Sequence, residues 1–317
     1  MKIDLKQAAD VITKYKNFVI TSHVNPDGDA LGSVLGLAHY LKAIGKNVTC
    51  LIDDDLPANF NILPGYELLS KPGQIIEKID LLIVLDTGID RIGQIKELAN
   101  APILNIDHHI SNNSTVDYLY VDPDRAATGE IIFQLLKFMK AAFDKNIATC
   151  LYTAIATDCG FFRYANTTAL TMRIGAELLE FDVKPNLISE AIEKKTLTAV
   201  RGIALALNTL EIFKNGKIAL LAITQDILAQ CVSTEGFIDL ARIIEGVDVA
   251  VMVKYVDENT CRISMRSKTT NVSLIAETFG GGGHIRAAGC TMHAPVGAAK
   301  ETIVAAIEQS MEDSYNA

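Results

Sequence analysis

The stretch NFVITSHVNPDGDALGSVLGLAHYLKAIGKNVTCLID, Asn17 to Asp53, decides the fold. NFVI (Asn17 to Ile20) is a short β-rich run that ends at Thr21-Ser22-His23, and NPDGD (Asn25 to Asp29) strings turn residues together. Leu31, Val34, Leu35, Ala38 and Leu41 then recur at helical spacing, Gly45 is placed to stop the helix, and VTCLID (Val48 to Asp53) forms the next strand. Strand, loop, helix and strand make a βαβ unit. Further along, LLIVLD (Leu81 to Asp86) and PILNID (Pro102 to Asp107) alternate with helical segments, the pattern of a parallel sheet covered on both faces. Residues 1–185 are therefore expected to form a doubly wound, mainly parallel α/β domain. Its closing helices run through TGEIIFQLLKFMKAAF, with Thr128 read as the N-cap, then IATCLYTAIATD and TTALTMRIGAELLEF.

Residues 186–207 show no strand signal and are read as a helical linker. From residue 208 to 317 the character changes to a smaller mixed α+β domain. LEIFKNGKIALLAI sets Asn215-Gly216 between two β-rich runs, a strong hairpin signal. DVAVMVKYV and TCRISMRS flank Asp257-Glu258-Asn259, and an Asn271-capped helix, a glycine tetrad and a C-terminal helix follow.

Composition narrows the function. The 317 residues are 49% apolar and 21% charged, the profile of a globular protein. The longest core-like runs, Leu81 to Leu85 and Val249 to Val253, are strand-sized, well short of the roughly 20 residues of a membrane helix. MKIDLKQAADVITKY carries no export signal, so a cytoplasmic protein is expected. Six cysteines without any CxxC spacing read as buried thiols. A formal net charge of -9 argues against coating long nucleic acid, which needs many Lys and Arg on phosphates, while short phosphorylated substrates fit if bound cations offset clustered acids.

Three strands end in cation-binding side chains: His23 with Asp27 and Asp29, then Asp86, then Asp107-His108-His109. Ligands of open α/β sheets bind outside the carboxyl ends of the strands, so these segments are expected to converge on one crevice. Asp158, after a helix in TDCGFF, is a fourth contributor. Singly, each acid could be a cap or turn residue; Asp29, for one, could cap the helix of Leu31. Together, that many carboxylates repel unless cations intervene, and mixed His/carboxylate ligation suits Mn²⁺ or a similar ion better than Ca²⁺. Two ions sharing a carboxylate serve an in-line displacement at phosphorus, so phosphoester hydrolysis is the expected reaction. His39 and His293 lack such company and are read as surface or core histidines.

HVNPDGDALGS, LDTG, NIDHHISN and TDCGFF, in this order, resemble the four motifs of the DHH phosphoesterase superfamily, and GGGGHIRAAG (Gly280 to Gly289) resembles the signature of its DHHA1 partner domain. The resemblance spans nearly the whole chain. It implies a two-manganese site in which His23, Asp27 and Asp86 hold one ion and Asp29, Asp86, His108 and Asp158 the other, with Asp86 bridging. It further implies that Asp107 supports the site from behind, that His109 contacts the scissile phosphate, and that the active-site cleft lies between the two domains. Cys159 departs from the Thr more usual in TDTG, next to the ligand position rather than at it. In the second domain, Gly281, Gly282, Gly283 and His284 resemble the substrate loop, where glycines admit a close backbone approach and His284 and Arg286 supply donors. Arg266 and Ser267 fit the position that holds the substrate's terminal phosphate, for which the planar fork of arginine is suited. Arg91 is a weaker candidate for a phosphate contact.

Within the superfamily, RecJ-type exonucleases usually carry further nucleic-acid-binding modules beyond this length, and the membrane-bound cyclic-dinucleotide phosphodiesterases carry N-terminal helices and sensor domains, so neither type is the expected one. GGGGHIRAAG argues against the manganese pyrophosphatases. What remains resembles the compact bacterial NrnA-like branch, which degrades RNA of a few nucleotides and removes a phosphate from 3′-phosphoadenosine 5′-phosphate. A stand-alone hydrolase of cyclic or linear dinucleotides such as pApA would use the same residues, and a non-catalytic nucleotide sensor is the alternative of another class. The expected partners are short RNA oligonucleotides or nucleoside bisphosphates, with no long duplex and no membrane; homodimer formation is left open.

Overall fold

The computed structural model of the protein describes residues 1–73, 79–98, 100–231, 233–234 and 236–316, and the side chains of all of these except 98, 284 and 314–316. It divides into two compact units, Met1–Lys194 and Lys195–Ala317.

The first unit is built on β1 (Asn17–Thr21), β2 (Asn47–Leu51), β3 (Leu69–Ser70), β4 (Leu81–Leu85), β5 (Ile103–Asp107) and β6 (Tyr118–Val121). They form one sheet in the order β3-β2-β1-β4-β5-β6 with every pairing parallel. The order reverses between β1 and β4, and the carboxyl ends of strands beside such a reversal open onto a crevice. Helices α1 (Leu5–Lys14), α2 (Gly28–Ala43), α3 (Ile95–Leu98), α4 (Thr128–Phe138), α5 (Lys145–Asp158), α6 (Ala169–Leu179) and α7 (Pro185–Glu193) complete it. Alternate strand residues feed opposite faces, as the period of two requires. Ile20, Leu81, Ile83 and Ile106 join the larger core with Leu31, Leu35, Ile132 and Leu151, whereas Val19, Leu82 and Val84 join a smaller one with Ile92 and Ile95.

Helix α2 sets the site. Asp27 is its N-cap, accepting the Ala30 N–H at 3.0 Å, and Gly45, at φ +76°, follows its end. Its backbone lies against α5: a Cβ on Gly32 would meet the Cys150 carbonyl oxygen at 2.4 Å, and one on Gly28 would meet Thr157 Oγ1 at 2.3 Å. That close approach brings the end of α5, with Asp158, beside the beginning of α2, with Asp27 and Asp29.

Thr128 is not the N-cap expected of it. Ala127 occupies that position without a side-chain bond, and Thr128 is the first helical residue of α4. The uncapped helix end, which is buried, is served instead by Asp29, whose two carboxylate oxygens accept Thr128 N–H at 2.6 Å and Gly129 N–H at 2.8 Å. A carboxylate there satisfies orphan donors and the helix dipole together.

The second unit holds α8 (Leu197–Leu207), β7 (Glu211–Phe213), β8 (Ile218–Ile223), α9 (Gln225–Leu228), α10 (Phe237–Arg242), β9 (Val249–Asp257), β10 (Thr260–Ser267), α11 (Val272–Glu277), β11 (Gly282–His284), β12 (Ala287–Met292) and α12 (Val296–Asn316). The segment read as a linker is thus two helices, of which α7 lies in the first unit and α8 in the second. The sheet order is β11-β12-β10-β9-β8-β7, parallel only at β8–β9. Both expected hairpins form, around 214–217 and 258–259. The glycine tetrad, however, opens a third hairpin, β11–β12, ahead of the last helix. Its strands are rich in glycine and alanine, so their apolar alternation is faint in the sequence. Among the described residues no helix is long and apolar enough to cross a membrane.

Candidate metal centre

The carboxyl ends of β1, β4 and β5, the start of α2 and the end of α5 gather the first-unit acids and histidines in one place. Donor atoms of His23, Asp27 and Asp86 lie within 4.8 Å of one another, and so do those of Asp29, His108 and Asp158. Asp86 stands between the sets, its Oδ2 3.5 Å from His23 Nε2 and its Oδ1 3.5 Å from His108 Nε2. His108 Nε2 is also 3.6 Å from Asp158 Oδ2 and 3.9 Å from Asp29 Oδ2.

Each histidine is oriented by its other nitrogen. His23 Nδ1 lies 2.9 Å from Val24 O, and His108 Nδ1 lies 3.1 Å from Arg125 O. A carbonyl accepts only, so Nδ1 carries a proton, and the neutral ring then turns the Nε2 lone pair toward the acids, the arrangement of a metal-ligating imidazole. His108 Nε2 is buried and has no hydrogen-bond partner although it faces three carboxylates. A divalent cation is the group that such a lone pair and such acids accept together, and nitrogen with carboxylate oxygen is a donor set for a borderline transition ion.

The electrostatics agree. Burial, then the charges of Asp86 and Asp158, push the Asp29 carboxyl well above its usual range, although three hydrogen bonds, including one from Ser33 at 3.0 Å, favour its charge. Burial and then Asp27 push Asp86 up as well, and burial raises Asp158. Ionising these acids side by side calls for positive charge among them. Asp86 also has a left-handed backbone, φ +61°, a conformation uncommon for a residue with a side chain and frequent at functional sites. Thr128, fully buried, donates Oγ1–H to Asp86 Oδ1 at 3.0 Å.

Asp107 and His109 form a different arrangement. Asp107 is fully buried and accepts His109 Nδ1–H at 2.7 Å, His109 N–H at 3.0 Å and Asn112 Nδ2–H at 2.6 Å. Burial pushes its carboxyl up, but the bonds from His109 and Asn112 outweigh it and hold it below the usual range. The same bond to Asp107 raises the His109 imidazole to about 9 against the opposing effect of burial. That bond favours the charged form of the His109 ring, which is partly exposed.

Sequence reading did not single out Asn105, Asn112 or Thr128 for this work. Asn105 Nδ2 donates to Val84 O and Thr87 O, and its Oδ1 accepts from Asn112, so two amides hold the β4 and β5 ends in register. A polar residue in the buried strand ILNID was the available signal. Arg91 is exposed, and its carbonyl accepts the Val24 N–H at 2.9 Å, tying the β4 loop to the β1 loop.

In the second unit, the candidates divide. Arg266 is half-buried and donates to Met265 O at 3.0 Å. Ser267 does not face outward: it is buried, and its hydroxyl donates to Thr270 O at 2.5 Å. Adjacent strand residues point to opposite faces, so Arg266 and Ser267 cannot share one surface. Arg286 donates to Thr269 O and Thr270 O. Gly282 and Gly283 pair with Gly289 and Ala288, and Gly281 packs so tightly that a Cβ would meet Gly289 O at 2.2 Å. The His284 backbone pairs with Ala287, while its side chain lies outside the described residues.

Comparison with known proteins gives the chain's relatives. The model of the DHH family, N-terminal domain, matches residues 17–155, and that of the DHHA1 domain matches residues 215–313. A Thermus thermophilus protein described as a bifunctional oligoribonuclease and PAP phosphatase NrnA is 33% identical over 278 residues, 86% of this chain and 83% of that one. A Bacillus subtilis protein of the same description is 26% identical, covering 89% and 91%. A crystal structure of an exopolyphosphatase-related protein from Bacteroides fragilis superposes with a TM-score of 0.85 at 25% identity, covering 98% of this chain and 95% of that one. With metal-ligand types at every motif position and a second unit that matches the DHHA1 domain, the chain belongs to the DHH family, in its DHHA1-bearing, NrnA-like form.

Proposed function

We propose that this phosphoester hydrolase is a divalent-metal enzyme of short substrates, cleaving RNA of a few nucleotides and removing a phosphate from 3′-phosphoadenosine 5′-phosphate. The observation that supports this best is the pair of donor sets meeting at Asp86. In this reading His23, Asp27 and Asp86 hold one ion and Asp29, Asp86, His108 and Asp158 the other, with Mn²⁺ preferred. Two such ions would lower the pKa of a water and offset charge at phosphorus.

The chain's own residues do the rest. Asp107 and Asn112 lock the His109 ring, and the imidazolium donates a hydrogen bond to an oxygen of the scissile phosphate, where negative charge grows as the P–O bond to the leaving sugar breaks. Thr128 and the α4 N-terminus fix Asp86 and Asp29 against the repulsion of their neighbours. Arg266 and the backbone of Gly281 to Gly283 hold the substrate's outer phosphate. Short substrates suit a chain of net charge -9, whose cationic groups act locally.

The test is hydrolysis with Mn²⁺ of an RNA dinucleotide, a longer RNA, 3′-phosphoadenosine 5′-phosphate, pApA and pyrophosphate, in parallel with Asp86→Ala. Cleavage of the short RNA and the bisphosphate by the parent alone is expected. Preference for pApA would move the substrate to dinucleotides, and nucleotide binding with no turnover on any of them would make the chain a sensor.

A further inference from the structure

The sheet of the second unit carries a pocket that borders the glycine run, with Arg262, Thr291 and His293 contributed from outside the GGGGHIRAAG signature. On β10, Ile263 and Met265 point into the core beneath α11 and α12, so Arg262, Ser264 and Arg266 emerge on the opposite face. Beside Arg262 is an open surface pocket of about 520 Å³, lined by Phe279, Gly280, Gly281, Thr291 and His293 together with Arg262 itself. That volume falls in the range of small-ligand sites, roughly 300–1,000 Å³. Arg262, Thr291 and His293 are exposed, and among the described residues none of them has an ion pair or side-chain hydrogen bond.

Register supplies an independent observation. Lys254 on β9 lies directly opposite Arg262 on β10, and Lys254 likewise has no ion-pair partner among the described residues. Like charges facing each other across two strands destabilise a sheet. A bound anion reverses the sign of that term, and a planar aromatic ligand finds both a glycine floor and the ring of Phe279.

We infer that this pocket is a subsite for an additional nucleotide of an RNA oligomer, its phosphate held by Arg262 and His293 with Lys254 facing Arg262 across the strands, and its base lodged over Gly280 against Phe279. The inference rests on the functional reading above. Arg262 and Arg266 are four residues apart on one strand face, about 13 Å at roughly 3.3 Å per residue. A stacked strand advances roughly 3.4 Å per nucleotide and an extended one up to about twice that, so about 13 Å separates phosphates about four stacked or two extended nucleotides apart. A nucleoside bisphosphate held at Arg266 does not span that distance. The pocket accordingly sets a preference for chains of three or more nucleotides over the bisphosphate.

The experiment is a ladder of 5′-phosphorylated oligoadenylates of two to five nucleotides, with 3′-phosphoadenosine 5′-phosphate alongside, assayed for KM and kcat with the parent, Arg262→Ala and His293→Ala. Anisotropy of labelled trinucleotide on chelator-treated protein measures binding without turnover. In Arg262→Ala, KM for three or more nucleotides is expected to rise at least about tenfold relative to KM for the bisphosphate, the equivalent of one lost charged hydrogen bond. Trinucleotide binding weakens in step, and Arg262→Lys recovers part of it. An equal rise across the whole ladder and the bisphosphate, or no rise at all, overturns the subsite. If the parent cleaves no RNA, the functional reading fails separately. The pocket is then judged by the anisotropy alone, where equal binding by parent and Arg262→Ala overturns it.

Discussion

Thr128 offers the sharpest test of how the site is held. Its N–H binds Asp29 Oδ2 and its hydroxyl binds Asp86 Oδ1, so one residue restrains an acid from each donor set. Thr128→Val preserves shape and the backbone bond and removes only the hydroxyl. A hydrogen bond to a charged group contributes about 1.5–3 kcal/mol, and each 1.4 kcal/mol is tenfold in an equilibrium constant. Affinity for divalent ions should therefore fall about 10- to 100-fold, in line with the usual effect of losing a residue that orients a ligand. Mn²⁺ titration calorimetry on chelator-stripped protein measures it, and Thr128→Ser, which keeps the donor, should bind within a few-fold of the parent. The melting temperature in chelator should change little, because an unpartnered Asp86 can take up a proton there. Mn²⁺ affinity within twofold of the parent in Thr128→Val, or Thr128→Ser as weak as Thr128→Val, would refute the reasoning.

Other perturbations test other links. Gly32→Ala pushes a methyl group to 2.4 Å from the Cys150 carbonyl oxygen, so urea unfolding should show the first unit weakened by about 1–3 kcal/mol; an unchanged midpoint would mean that α2 and α5 separate freely. The His109 imidazole, raised to about 9 from an ordinary 6.5, contributes stability that is complete below 6.5 and lost as pH rises through 9. In chelator, the difference in melting temperature between the parent and Asp107→Asn should shrink over that interval, and a constant difference would count against the pair. Asp248 accepts five hydrogen bonds from Lys268, Thr269 and Thr270, which hold its carboxyl below the usual range against the upward push of burial. Its contribution is present above the ordinary value of about 3.9 and lost as pH falls through the depressed one, so Asp248→Asn should speed amide exchange at 268–270 near neutral pH but hardly alter it in strong acid.

Periodicity and turn chemistry were enough to read the first unit's architecture, because buried parallel strands such as Leu81–Leu85 are written as unbroken apolar runs and Gly45 and Asn215-Gly216 punctuate them. The candidate ligands were legible for a related reason: a motif at the end of a strand carries its own side chains to the end of the sheet, so His23, Asp86 and His108 could be named before any contact was known. The short strand β6 and the glycine-rich hairpin β11–β12 were not legible, since four residues or a run of alanine and glycine carry little apolar signal, and their pairing is set by the neighbouring strands. Tertiary structure alone decided which groups hold the ligands. Asp29 caps a helix that begins 99 residues later, Thr128 steadies Asp86 across 42, and Ser267 turns inward while Arg266 turns out. A hydrogen bond acts over about 3 Å, and sequence spacing does not reveal which distant residues are folded to within that distance.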